Sequence, residues 1–187
     1  MKETKIILSG NAGSGKSTVG KMLAERLGVN FLSVGDICRE KAISMGMDIN
    51  QFQEYLKSYP NFDIEMDGYI AEYARKQTNY VLDYRLGFHF VPESFKVLLQ
   101  VSEKTALHRI LSRNGKDEYF SYGLVDEKIL LLRTRNELMR QRFIEIYSVD
   151  FCVESHYDLV IDSDTRSPNE IVELINLDLQ SPTRCCS

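Results

Sequence analysis

The sequence predicts an α/β fold, with a parallel sheet of about five strands flanked by helices. Three observations carry the prediction. Short apolar runs alternate with amphipathic stretches along the chain, as strands joined by helical crossovers do. The run "FKVLLQV" is apolar on both faces, as a strand inside a parallel sheet must be. The run "TKIILSG" passes through a glycine-rich turn into a helical pattern.

"TKIILSG" reads as a buried strand. "KSTVGKMLAERLG" is an amphipathic helix with Val19, Met22, Leu23 and Leu27 on one face and Gly28 closing it. "VNFLSVGD" reads as a short strand followed by a loop. From "ICREKAISMG" to "QFQEYLKSY" the pattern is helical, with a break at Gly46 to Asn50. Pro60 interrupts it, and "FDIEMDGYIAEYARKQ" resumes it. "NYVLDYR" is a strand centred on Val81 and Leu82, and "FKVLLQV" is the next. "SEKTALHRILSRNG" is a helix with Ser102 as N-cap. "GLVDEKILLLRTRNELMRQRFIEIY" is a longer helical stretch, and "YDLVIDSD" is the last strand. "SPNEIVELINLDLQ" is the last helix, with Ser167 as N-cap and Pro168 at its first position. No repeat or linker divides the chain, so residues 1–187 are expected to form a single domain. The tail 181–187, "SPTRCCS", has no periodicity and is expected to be disordered.

A net charge of −4 argues against a general nucleic-acid binder. No apolar run reaches transmembrane length, and the opening Met-Lys-Glu-Thr is unlike a signal peptide. A cytoplasmic monomer without nucleic-acid or membrane partners is expected. Cys38, Cys152, Cys185 and Cys186 fit no zinc spacing, and His89, His108 and His156 fit no ligand spacing.

The turn after the first strand is specific. Gly10-Asn11-Ala12-Gly13-Ser14-Gly15-Lys16-Ser17 fits G-x-x-x-x-G-K-[ST] between a strand and a helix. Its glycines let successive N–H groups point inward, and the helix N-terminus adds its dipole. With Thr18, these residues predict a binding site for ATP. Lys16 would reach the β- and γ-phosphates and Ser17 would ligate Mg²⁺. No N-K-x-D guanine reader follows a later strand, which argues against a GTPase. The length suits a small-molecule kinase better than an ATPase motor.

Such a kinase needs a second site. An acceptor that is itself a phosphate needs cations rather than a general base, and arginine grips phosphate oxygens bidentately. Arg39 is expected to begin the helix after the second strand. Arg85 follows "YVLD" and so falls at the carboxyl edge of the sheet, where open α/β folds bind ligands. Asp83, just before it, could hold a Mg²⁺-bound water or orient Arg85. Arg135 and Arg142 share one helical face, and Arg133 and Arg140 share the opposite one. Glu137 and Glu145 are near enough in sequence to pair with these arginines. Arg75 and Arg109 read as structural or peripheral, and Arg113 ends its helix beside Gly115. Asp63 and Asp67 read as a solvated face, with pairing to Arg39 or Arg85 as the alternative. Phe52, Tyr55, Phe62 or Tyr69 could stack on a base.

Taken together, "IILSGNAGSGKSTVGKMLAERLG", "SVGDICREKAISMGMDINQF", "VLDYRLG", "RNELMRQRFIEIYSVDF" and "YDLVIDSD" resemble the short, archaeal-type cytidylate kinases, P-loop nucleoside monophosphate kinases. The resemblance covers most of the chain. It implies a P-loop NTPase core, an acceptor-binding region over about 35–75 and a lid over about 113–135. It also implies transfer of the ATP γ-phosphate to CMP or dCMP. Carried over residue by residue, Ser33, Gly35 and Arg39 would line the acceptor site, with Asp36 among them. Asp83 and Arg85 would lie between the two sets of phosphates, and Arg135 and Arg142 would close from the lid side. The chain departs from the family in three places. Met139 stands where an acidic residue is common, Ala106 where arginine is usual, and "VLDYR" replaces acidic-Gly-Arg. Two other functions fit the same residues. One is a kinase for a non-nucleotide metabolite, with Asp36 or Asp83 as base. The other is a nucleotide-binding regulator that transfers nothing.

Overall fold

The computed structural model describes residues 3–47, 49–59, 61–112 and 124–181. Five parallel strands form one sheet in the order β2-β3-β1-β4-β5. They are β1 Thr4–Ser9, β2 Asn30–Ser33, β3 Asn79–Asp83, β4 Phe95–Gln100 and β5 Leu159–Asp162. The helices are α1 Lys16–Leu27, α2 Val34–Ser44, α3 Ile49–Ser58, α4 Asn61–Lys76, α5 Gly87–Phe90, α6 Glu103–Leu111, α7 Val125–Tyr147 and α8 Pro168–Leu179. No described helix is long and apolar enough to cross a membrane.

β1 is the middle strand, and Ile6, Ile7 and Leu8 are all fully buried. Successive side chains of a strand point to opposite faces, so a strand covered on both sides must be apolar throughout. Ile6 and Leu8 pack with Val19, Leu23, Val97, Ile171 and Ile175 under α1 and α8. Ile7 packs on the other face with Ile70, Ala74, Leu82, Phe143 and Phe151 under α4 and α7. A smaller core of Ala42, Phe52 and Leu56 joins α2 to α3.

The expected caps form. Gly28 closes α1 at φ 65°, in the left-handed region. Ser102 accepts from the Thr105 N–H, and Ser167 with Glu170 makes a capping box. Two expectations are corrected. No loop follows β2: α2 starts at Val34, because the Ser33 hydroxyl accepts from the Asp36 N–H at 3.2 Å and so caps it. Arg39 therefore stands in the middle of α2 rather than at its start. The short α5 and a 3₁₀ turn over Glu154–His156 were not foreseen.

The register brings the functional segments together. Leu8 of β1 pairs with Asp83 of β3, so the glycine turn after β1 and the Asp83–Arg85 segment emerge side by side at the carboxyl edge.

Candidate active site

The turn after β1 is built on steric grounds. Gly10 has φ 138° and Gly13 φ 80°, conformations that L side chains rarely adopt. A Cβ on Gly10 would fall 2.3 Å from the Leu99 carbonyl oxygen, and one on Gly13 would fall 2.7 Å from Ala106. The second contact makes Ala106 the floor of the turn. It is 2% exposed, packs with Leu107, Ile110 and Leu132, and lines a hollow with Asn11, Glu103 and Glu137.

Lys16, 8% exposed, folds across the turn. Its Nζ donates to the Gly10 and Asn11 carbonyls, each at 2.8 Å, and to Ser14 Oγ at 3.3 Å. An ammonium held by neutral carbonyls beside a helix N-terminus is ready to exchange them for phosphate oxygens. Arg109 fixes the turn from behind, reaching the Gly13 carbonyl at 3.4 Å and Ser163 Oγ at 3.0 Å. This agrees with its expected structural role.

Ser17 Oγ donates to Asp83 Oδ2 at 2.5 Å, and Ser33 Oγ lies 3.4 Å from the same oxygen. The two residues expected at Mg²⁺ are thus adjacent. Among the described residues there is no cluster of three or more His, Cys, Asp or Glu side chains suited to a metal. One hydroxyl and one carboxylate are what Mg²⁺ uses when substrate phosphates and water complete its octahedron, so the donor set fits that ion.

A cleft runs from the turn towards α4. Gly13, Gly15, Lys16, Ser17, Gly35, Arg39, Asp83, Arg85, Arg135 and Arg142 all line it. Its near end is cationic. Burial pushes the Arg85 pKa down, Asp83 opposes this, and neighbouring Arg135 pushes it further down. The Arg85 Nε is buried and has no hydrogen-bond partner among the described residues. Its backbone is held by Ser9 Oγ, which donates to the Arg85 carbonyl at 3.1 Å and lies 2.8 Å from the Tyr157 hydroxyl. Ser9 and Tyr157 escaped the sequence analysis, because 76 and 72 residues separate them from Arg85.

The far end carries acid. Arg142 Nε lies 3.2 Å from Asp63 Oδ2, and Asp67 accepts from the hydroxyls of Tyr84 at 2.6 Å and Tyr147 at 2.5 Å. Burial raises both carboxyl pKa values. Arg142 opposes this at Asp63, as the tyrosine hydroxyls do at Asp67. The expected solvated face of Asp63 and Asp67 is therefore wrong, and neither is ion-paired to Arg39 or Arg85. Arg39 is exposed and pairs with Asp36 of its own helix. Ser33 sits behind the cleft as a cap. Of the four candidate stacking rings, Phe62 lines the cleft, Phe52 is fully buried, Tyr55 stacks on Tyr59, and Tyr69 is exposed.

Met139 shares the cleft face of α7 with Arg135 and Arg142, as expected. Arg133 pairs bidentately with Glu103 and Arg140 with Asp150, rather than mainly with Glu137 or Glu145. A second hollow opens on the other side of the turn, lined by Gly15, Thr18, His108, Arg109, Arg166 and Pro168. Residues 113–123, including Arg113 and the first part of the expected lid, lie outside the described residues. So do 182–187 with Cys185 and Cys186.

A family model described as an AAA domain matches residues 6–129. A cytidylate kinase of Archaeoglobus fulgidus is 34% identical over 172 residues, which span 91% of this chain and 92% of the other. The chain belongs to the archaeal cytidylate kinase family. This makes it a P-loop kinase with a nucleotide-binding turn. An S-adenosylmethionine-dependent nucleotide dehydratase of Lacinutrix mariniflava is 45% identical over 92% of this chain. The kinase chain spans only 35% of that relative's length. The fold is also that of a shikimate kinase from Bacteroides thetaiotaomicron, with TM-score 0.65 and 16% identity over 95% of this chain and 99% of that one.

Proposed function

We propose that this P-loop kinase is an ATP-dependent nucleoside monophosphate kinase of the cytoplasm, with CMP or dCMP as the favoured acceptor. One observation carries the proposal. Arg85 is a desolvated cation near Asp83 and a second cation, Arg135; its Nε has no hydrogen-bond partner among the described residues, and it shares the cleft with Lys16 and Ser17. Two guanidinium groups lining one cleft favour an anion that can accept from both. An acceptor phosphate is such an anion, and a neutral hydroxyl is not. Support for a nucleotide comes from the family, and from the nucleotide named in the longer relative's activity.

In this scheme the donor triphosphate lies along residues 10–18, with its base towards the hollow near Arg109 and Arg166. Lys16 leaves the Gly10 and Asn11 carbonyls for the β- and γ-phosphates. Ser17 and Asp83 would hold Mg²⁺, which when bound neutralises charge on the donor oxygens. Arg85 and Arg135 hold the acceptor phosphate. Its oxygen forms the new bond to the γ-phosphorus while the bond to the β,γ-bridging oxygen breaks. ADP leaves with that electron pair, and the acceptor becomes a diphosphate. With a second pKa of about 6 the acceptor is ionised at neutral pH, so no side chain has to take a proton.

The test is ADP production from Mg-ATP with CMP, dCMP, UMP, AMP and GMP. We expect the two cytosine nucleotides to stimulate turnover most. A different winner would overturn the acceptor assignment. No stimulation by any monophosphate would favour a metabolite kinase or a regulator.

A further inference from the structure

Ser9 ends the central strand β1 and is the last residue before the glycine turn. It is fully buried. A buried hydroxyl is costly unless it is hydrogen-bonded. Ser9 Oγ donates to the Arg85 carbonyl at 3.1 Å. The Tyr157 hydroxyl lies 2.8 Å from the same Oγ and 2.7 Å from the Phe151 carbonyl. With its own proton given to Arg85, the Ser9 oxygen accepts from Tyr157.

This link falls where the backbone pairing of the two segments stops. The β1–β3 register ends at Leu8 with Asp83, and the Tyr84 N–H still reaches the Leu8 carbonyl at 3.1 Å. Beyond that point β1 turns away into the phosphate-binding turn. The Ser9 side chain supplies the next tie, one residue further along each segment. The turn is itself fixed, because at Gly10 a Cβ would fall 2.3 Å from the Leu99 carbonyl oxygen. Tyr157 braces the tie from behind. Its ring packs on Phe88 at 5.6 Å, and Phe151, whose carbonyl it meets, packs on Phe143 of α7 at 6.1 Å. Neither Ser9 nor Tyr157 lines the cleft.

Resting on the monophosphate-kinase proposal, we infer that Ser9 and Tyr157 are positioning residues for Arg85: their hydroxyls lock it to the phosphate-binding turn and so set the separation of the acceptor and donor phosphates. In-line transfer tolerates little error in that separation, and a misplacement of about 1 Å can cost on the order of 100-fold.

The test uses Ser9→Ala and Tyr157→Phe, each alone and combined with Arg85→Ala. ADP formation is measured from Mg-ATP with the best acceptor among CMP, dCMP, UMP, AMP and GMP. Tyr157→Phe keeps the ring and removes only the hydroxyl. Each single variant should lose roughly tenfold or more in kcat, because the acceptor phosphate is still gripped but out of line. Mg-ATP affinity and acceptor KM should change by less than about threefold. Added to Arg85→Ala, each substitution should cost nothing further, because the side chain it positions is gone. Mg-ATP binding reports whether each variant is folded, and if Ser9→Ala fails that check, Tyr157→Phe decides. Losses that multiply with that of Arg85→Ala, or that appear equally in Mg-ATP affinity, would make the pair structural and overturn this inference alone. Single variants with wild-type kcat would do the same. A harmless Arg85→Ala, or a wild type inactive with every monophosphate, would overturn the kinase proposal and this inference with it.

Discussion

Lys16→Ala should reduce acceptor-dependent ADP formation by about 10³-fold or more while leaving the protein folded. Lys16 is placed to be the only positive side chain that comes from the turn itself, and the charge that develops on the β- and γ-phosphates during transfer falls next to it. Its loss is felt mainly in the transition state, so kcat should fall along with kcat/KM. The structural cost is smaller. The Nζ holds two carbonyls and a hydroxyl in the absence of nucleotide. Removing it should lower stability by about 1 kcal/mol, the net worth of a typical hydrogen-bonded contact. Single-turnover kinetics and thermal unfolding separate the two effects. A variant that keeps more than a tenth of the wild-type rate would show that Lys16 does not meet the transferred phosphate.

Arg85→Ala should have a comparable effect, with the opposite sign on stability. If Arg85 grips the acceptor phosphate, its loss should cost about 10³-fold in kcat/KM for the acceptor and little in Mg-ATP affinity. In the free protein the same guanidinium is desolvated, a cost that Asp83 offsets only in part and Arg135 adds to. Removing it relieves that desolvation, so the variant should melt no lower than wild type. Arg85→Lys keeps the charge but loses the planar fork, and should recover only part of the rate. Steady-state kinetics with varied acceptor, together with thermal denaturation, test this. A stability loss matching the activity loss would make Arg85 a structural cation.

The phosphate-binding turn and the order of strands and helices could be read from the sequence because their signals are local. A glycine pattern between an apolar strand and an amphipathic helix needs no distant contact to be recognised. Residues that meet across the fold were less legible. The partners of Arg133 and Arg140 lie outside the helical spacing of α7, at Glu103 and Asp150. The clearest failure is α4. There Asp63, Met66 and Asp67 face the cleft, while Ile64 and Tyr69 are 51% and 58% exposed. Ordinary patterning puts the apolar side inward, so an i, i+4 pair of aspartates reads as a wet surface. The first two turns of this helix break the rule because they line a site that holds something polar, while Ile70, Ala71 and Ala74 further along keep it. Such reversals concentrate where function competes with packing. Ser33 had a readable signal that went unused: Ser-Val-Gly-Asp places an acidic residue three positions after a hydroxyl, which marks a helix start.

The most direct test of the central claim, that the cleft joins the ATP γ-phosphate to the phosphate of a nucleotide, is ³¹P NMR of the products formed from Mg-ATP and CMP. We expect ADP and CDP in equal amounts, with a new β-phosphate coupled to the α-phosphate of cytidine. Inorganic phosphate accumulating beside untouched CMP, or a new phosphate ester on a ribose hydroxyl, would contradict it.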